Sequence, residues 1–394
     1  MVEALKSPKE PKATERLVCG KPGADFELAL VIKRTYRITP EEKCVLADEQ
    51  VPIEEKNPSY EEDVPPPKVS PPRWDSDLMA FKEATDIVVQ GHAYGYGPRQ
   101  VVDVELRFGK VTRTVRVHGE RRCDASSGRL KFTPALPFEK MPIRYDRAYG
   151  GFDAAAFERE GDLVVRVLGA MEPKWNLLAN TLFHYPRNPA GVGYRMAIEE
   201  VTEDGSADSI AVPNLEFPFD LVTPERLAVG SPRGWLAAPL PAGFDWFDPG
   251  WFPRIGYLGH QPQADMPARD VQEVSQGWFP RELVAQSPKK LGWNPRFTQG
   301  ASPGLAVEKF PADAHLYFRN LFPRHPERRV RLPGSAPKVT IWISERLKKA
   351  AETRLNAVIV QPDLDRVILV WSARCAVQRP FTPAERENMT WKVV

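Results

Sequence analysis

No two cysteines of this chain stand close together: Cys19, Cys44, Cys123 and Cys375 are spread too widely for a zinc knuckle or a redox C-x-x-C pair. Four isolated thiols fit a reducing compartment. The histidines His92, His118, His184, His260, His315 and His325 form neither H-x-H nor H-E-x-x-H, so local sequence specifies no metal site. A G-x-x-x-x-G-K-[ST] loop is missing, and Gly91-His92-Ala93-Tyr94-Gly95-Tyr96-Gly97 has the wrong glycine spacing for a dinucleotide fingerprint. Neither ATP-driven work nor a cofactor is therefore expected. No segment approaches the roughly 18 apolar residues of a membrane span, and the stretch from Met1 to Glu10 lacks the apolar core of a secretory signal. Cytoplasmic residence without a membrane partner is the expectation. Neither sign of charge prevails: 54 Lys plus Arg face 52 Asp plus Glu, a net +2 that leaves no global field to gather nucleic acid. The basic run from Arg324 to Arg331 is local and reads as a solvated face.

Proline, by contrast, is abundant: 40 residues beside 26 glycines, roughly twice the usual share of proline. Proline lacks an amide donor and breaks helices, so this composition predicts strands joined by irregular loops. Alternation supports that reading. Leu28, Leu30, Ile32, Tyr36 and Ile38 alternate with Ala29, Val31, Lys33, Thr35 and Arg37, which predicts a strand with one apolar face. Asp86 to Val89 opens a second strand block. In it Val102, Val104, Leu106 and Phe108 oppose Asp103, Glu105 and Arg107, and Gly109-Lys110 provides a type II′ turn into Val111 to Val117. Leu163 to Leu168 reads as a further strand, and Ala357 to Val360 and Val367 to Trp371 flank the turn Pro362-Asp363-Leu364-Asp365. Helices are few: Ser344 to Leu355 has helical composition, and Thr382-Pro383-Ala384-Glu385 carries a capping box. The expected fold is mainly β with a minor α component, built as antiparallel sheets or a sandwich with long Pro-, Gly- and Trp-rich loops. Residues 1–24 are expected as a mobile tail, and 25–335 as a strand-rich domain with long loops at 41–80 and 230–334. Residues 336–394 are expected as a helix, a hairpin and a short helix, either packed on that domain or separate.

Catalytic constellations are weak. Gly300-Ala301-Ser302-Pro303-Gly304 matches G-x-S-x-G, but Pro303 has no amide to offer an oxyanion, and the preceding residues do not read as a buried strand. A plain turn is the better reading. Asp146 and Asp153 would serve a hydrolase only if the fold faced them across a tryptophan-lined groove.

The stretch Pro137 to Asp153 holds the densest pattern, with Arg144, Tyr145, Asp146, Arg147 and Tyr149 running into Gly150-Gly151. Two glycines allow a backbone path closed to other residues, and the aromatic and arginine side chains suit a buried polar network or a recognition surface. This stretch resembles the signature of a bacterial family catalogued as a domain of unknown function, whose members resemble adaptors or chaperones for type VI secretion effectors. The likeness extends in order through Leu30 to Tyr36, Thr85 to Tyr94 with His92 and Tyr94, and Val115 to Arg121. It then takes in Arg187 to Gly193 with Asn188 and Pro189, Pro213 to Glu216 with Asn214, Pro241 to Phe244, and Trp251 to Arg254. Asp146 and Tyr149 stand where the family is expected to have glutamate and phenylalanine. The resemblance implies a non-enzymatic adaptor without a cofactor, binding an effector protein encoded nearby and engaging the secretion spike protein. A carbohydrate- or ester-acting hydrolase and a structural part of a secretion or phage-tail-like particle are the alternatives. Within the loops, Trp235, Trp246, Trp251, Arg254, Trp278 and Trp293 are the expected partner-binding residues.

Overall fold

A computed structural model describes residues 3–5, 14–20, 26–65, 67–124, 130–159, 161, 183–196, 210–230, 234–259, 292–293, 295–344, 347–379, 381–382, 385 and 388–394. In chain order the strands are β1 (Glu3–Leu5), β2 (Glu15–Gly20), β3 (Phe26–Ile38), β4 (Cys44–Leu46), β5 (Thr85–Val89), β6 (His92–Arg99), β7 (Val101–Phe108) and β8 (Val111–His118). Next come β9 (Cys123–Asp124), β10 (Lys131–Phe132), β11 (Phe138–Pro142), β12 (Tyr149–Gly150), β13 (Val192–Gly193), β14 (Leu215–Glu216), β15 (Leu258–Gly259) and β16 (Gly292–Trp293). The last are β17 (Ala306–Val307), β18 (His315–Phe322), β19 (His325–Arg331), β20 (Val339–Ser344), β21 (Leu347–Gln361), β22 (Arg366–Val377) and β23 (Thr390–Val393). Helical residues are few among those described, and the fold is mainly β. The expected strand at Leu163 to Leu168 lies outside the described residues.

A ten-stranded sheet runs β1-β2-β3-β22-β21-β20-β23, with β4 beside β3, β5 beside β21 and β17 beside β5. Its centre is the hairpin β21–β22, turned by Pro362 to Asp365 with Asp365 in the left-handed region at φ 46. Val367 to Ala373 and Val358 to Val360 are buried there. Burying each such aliphatic side chain contributes about 1.5–3 kcal/mol, and this hairpin carries a large part of the core. β5 runs parallel to β21 from Ala357 onward, just past a bulge at Asn356, whose amide reaches the Ala80 carbonyl.

Three expectations change here. The stretch 1–24, expected as a mobile tail, contributes β1 and β2, and Leu17 and Val18 are fully buried against β3. Ser344 to Leu355, expected as a helix, lies largely in β21. Lys348 to Ala351 have helical propensity, but they pair with β-branched and aromatic residues of β20, and that pairing overrides a local preference worth tenths of a kcal/mol per residue. β3, expected with one apolar face, is buried on both faces from Leu28 to Lys33. At Lys33 that second face is covered by the end of the 41–80 loop, where Trp74, Asp75 and Asp77 are buried.

A five-stranded sheet, β14-β8-β7-β18-β19, stands beside it. The predicted hairpin β7–β8 is present: Phe108 pairs Val111 across Gly109-Lys110, and Gly109 takes φ 52, a conformation that suits glycine. Val104, Leu106, Val115, Val117, Leu316, Phe318 and Val330 face inward and join one hydrophobic core with the larger sheet. The opposite face is polar.

Candidate functional site

The Pro137 to Asp153 motif is folded inward. Tyr145 is buried edge-on against Phe247 and Trp251, with ring centroids 5.6 and 5.4 Å away. Burial pushes its phenol above the ordinary range. Tyr149 is buried in a second cluster with Tyr185, Tyr194, Trp235 and Phe252, and its hydroxyl donates to the Leu227 carbonyl at 2.8 Å. Asn188 is fully buried, and its amide donates to the carbonyls of Tyr145 (2.8 Å) and Tyr149 (3.1 Å), stitching the Arg187 to Gly193 motif to this one. Pro189 beside it is half-buried. Gly150 and Gly151, at φ 149 and 103, let β12 approach that segment so closely that a Cβ on Gly151 would strike the Gly191 carbonyl. Asn214 bonds the His118 carbonyl (3.1 Å) and receives Arg147 (3.3 Å), which also pairs with Glu120 at 2.7 Å. Arg144 and Asp146 form a half-buried ion pair at 2.5 Å, with the Arg144 guanidinium 4.7 Å from the Tyr60 ring.

Neither carboxylate considered for hydrolysis is free for it. Asp146 is taken by Arg144, while Asp153 is buried and accepts the amides of Ala156 (3.2 Å) and Met196 (2.8 Å). Ser302 is buried in a turn closed by the Leu305 amide, as its Pro303 neighbour foretold.

Of the expected partner-binding residues, Trp235, Trp246, Trp251 and Arg254 are instead core residues, each 2–3% exposed. Trp278 lies outside the described residues, and Trp293 falls in β16, paired with Leu258. The correction has a physical cause: Trp235 and Trp251 pack edge-on into aromatic clusters with Phe252 and with Tyr145 and Phe247, while Trp246 lies 5.4 Å from Lys82 beside a buried, paired ionic network. Arg254 clamps Asp75 with two contacts of 3.1 Å, and Lys82 reaches Asp75 (3.4 Å) and Asp86 (2.6 Å). Asp86 also accepts the amides of Gly300 and Ala301. Burial pulls the Lys82 ammonium down, but Asp86 and Asp75 outweigh it and hold the pKa above its ordinary value. Lys33 lies 2.7 Å from Asp77 and 4.0 Å from the Trp74 ring centroid. Asp245, fully enclosed, takes Tyr60 (2.7 Å), Gln90 (3.0 Å) and its neighbour's amide (2.8 Å); burial still pushes its carboxyl up to about 7.

Among the polar groups at the described surface, two bear on the family motifs and on an open sheet face. On β6, His92 Nδ1 meets Asp363 Oδ2 at 2.5 Å and the Tyr94 hydroxyl donates to Oδ1 at 2.7 Å, so both family residues hold the β21–β22 turn. The other is the outer face of the five-stranded sheet. Strand register sets Arg329, Tyr317, Arg107 and Thr112 in one row, with Glu327, Arg319, Glu105 and Thr114 in the next. Glu105 is shared by Arg107 (3.0 Å) and Arg319 (3.2 Å), while Asp103 holds Arg116 at 2.9 Å. Tyr317 is 41% exposed in the midst of these charges, with Arg107 at 5.8 Å from its ring centroid. The alternation around Arg107 was readable in sequence. That Tyr317 would join it depends on which strand becomes the neighbour of β7.

Among the described residues no cluster of His, Cys, Asp or Glu has metal-binding geometry, and no helix is long and apolar enough to cross a membrane. The fold defines a mainly antiparallel-β protein whose motif residues form the framework and whose five-stranded sheet leaves one polar face open. The chain belongs to the bacterial family described as "Uncharacterized protein conserved in bacteria (DUF2169)", whose model matches residues 23–372. No curated protein and no solved structure matches it.

Proposed function

We propose that this protein is a non-enzymatic adaptor or chaperone that binds a type VI secretion effector in the cytoplasm and assists its loading onto the spike protein. The observation that carries this reading is the open face of the five-stranded sheet, where Tyr317 stands exposed between Arg107 and Arg329 on a rigid scaffold. Tyrosine and arginine on a fixed surface are the side chains that most often anchor protein interfaces. The ordered motif likeness to effector adaptors supplies the partner class. A loading factor must hold its client and then yield it to a tighter site, which suits a polar, charge-steered surface more than a deep apolar one.

Co-expression with the protein encoded next to it tests the reading. A stoichiometric complex should survive size-exclusion chromatography at low and moderate salt. Clean separation in both conditions counts against an adaptor, and recovery of the chain inside purified secretion particles would favour a structural component.

A further inference from the structure

Val111, Arg113, Val115 and Val117 form the inward row of β8, and one of the four is charged. Arg113 is half-buried near the end of that row. Its guanidinium lies between the 302–304 turn and Phe217: it donates to the Pro303 carbonyl and to Ser302 Oγ at 3.5 Å, with the Phe217 ring centroid 5.1 Å away. Gly304 permits this approach, since a Cβ there would stand 2.8 Å from a terminal nitrogen of Arg113. Half-buried arginines elsewhere have a counter-charge, as Arg116 has Asp103, Arg144 has Asp146 and Arg226 has Asp220. Arg113 differs. Among the described residues no carboxylate stands within ion-pair distance of it, and burial pulls its guanidinium down with only the Tyr145 phenol acting against. Three of its five N–H donors are unused.

The Phe217 ring that faces this cation is stacked on Phe219, with centroids 5.0 Å apart and planes 12° from parallel. Phe219 stands at the tip of a tight turn, closed by the Asp220 amide on the Phe217 carbonyl at 3.0 Å, in which Pro218 fixes the first central residue. At 78% it is the most exposed large apolar residue among those described, and Leu221 and Leu240 are 41% and 38% exposed. Asp220 ties these segments together by accepting the Leu240 amide at 2.7 Å, and Arg226 neutralises it at 2.7 Å. An aromatic side chain held out on a closed turn and stacked from behind is ordered before any partner arrives.

We propose that Arg113 and the turn from Phe217 to Leu221 form a docking site for a partner polypeptide that presents a carboxylate beside an apolar side chain. The carboxylate takes the unused donors of Arg113, whose planar fork matches it, and the apolar side chain packs on Phe219. Charge decides the occupant: apolar residues alone would accept any greasy segment, whereas a half-buried cation without a counter-charge, one ring stack away, selects an acidic one. The proposal rests on the adaptor reading for the partner being a protein and adds a contact surface apart from the open sheet face.

The test is fluorescence anisotropy of the full chain with a labelled glycine-serine peptide holding one phenylalanine-aspartate-leucine triplet, beside its counterpart with asparagine for aspartate. The aspartate peptide is expected to bind about tenfold more tightly or better. Arg113→Gln should abolish that preference, Phe219→Ser should weaken both peptides, and Arg354→Gln on the large sheet should change neither. Phe219 is too exposed for its loss to unfold the core, and thermal melts establish that Arg113→Gln folds. Equal or undetectable binding of the two peptides overturns the proposal, as does a preference that survives Arg113→Gln or affinities that Phe219→Ser leaves unchanged. Sedimentation showing a self-associated chain that Phe219→Ser dissociates would also overturn it, in favour of a second copy. If the wild type and both site variants capture the neighbouring effector equally, this surface is wrong and the adaptor reading stands. If the peptide contrast holds but no effector is captured, the surface stands and the adaptor reading falls.

Discussion

The buried amide of Asn188 donates to the main-chain carbonyl of Tyr145 at 2.8 Å, joining two segments whose likeness to family motifs is visible in sequence but whose contact is not. Its second bond, to Tyr149 at 3.1 Å, makes Asn188 the cross-piece of the framework. Asn188→Ala should remove a donor from two buried carbonyls, leaving that of Tyr145 with the Ala148 amide alone, and cost about 2–4 kcal/mol. Asn188→Asp should cost more, since a carboxylate would face those carbonyls with no donor. Urea unfolding of the two variants gives the comparison; a loss below about 1 kcal/mol for both would contradict this role.

Gly151 and Gly97 make a controlled pair. Both have positive φ, 103 and 115, but a Cβ at Gly97 meets nothing within 4 Å while one at Gly151 collides with the Gly191 carbonyl. Gly97→Ala should cost about 1–3 kcal/mol from backbone strain alone. Gly151→Ala should cost more than about 4 kcal/mol and yield little soluble protein. Equal melting temperatures for the two variants would refute the close packing of β12 and β13.

Asp245 predicts a pH dependence. Its carboxyl is raised from 3.8 to about 7 by burial, so between those values the folded state holds a proton that the unfolded chain releases. Stability from this group is fully present below about pH 4 and is lost as pH rises through about 7, by on the order of 4 kcal/mol. Asp245→Asn should remove that decline. Unfolding free energies of both proteins at about pH 5 and pH 8 measure it; parallel pH profiles would rule the group out.

Lys33 and Asp77 are both enclosed, so Lys33→Met alone leaves an uncompensated carboxylate and should cost about 3–5 kcal/mol. Asp77→Leu alone should be at least as costly, because Glu54 and Trp74 also donate to that carboxylate. The double variant should recover part of the loss, with a coupling above roughly 2 kcal/mol. Strict additivity would mean that the pair does not interact.

Short-range chemistry was legible. Gly109-Lys110 marked the β7–β8 hairpin, and Pro362 to Asp365 marked the β21–β22 turn. Thr382 and Glu385 exchange the reciprocal bonds of a capping box, 2.8 and 3.3 Å. The helix expected at Ser344 to Leu355 failed because its pairing partner β20 is what decides its conformation. Trp235, Trp246 and Trp251, read as exposed anchors, proved buried, since an aromatic loop looks the same in sequence whether it faces solvent or packs inward. Lys33, Asp75, Lys82 and Asp86 gave no signal, because a charged residue reveals its burial only through a partner far along the chain.

Alternation, turn residues and motif order were therefore enough to establish a strand-rich protein and its likeness to a family. Which faces are covered, and so where a partner would meet the chain, was left to long-range packing. A period of two says that one side of a strand is polar, but not what lies over it: Lys33 was sealed by Asp77 and Trp74, while Arg107 was left open beside Tyr317. That difference arises from the cost of burying charge, which is tolerated only where the fold supplies a counter-charge and hydrogen bonds.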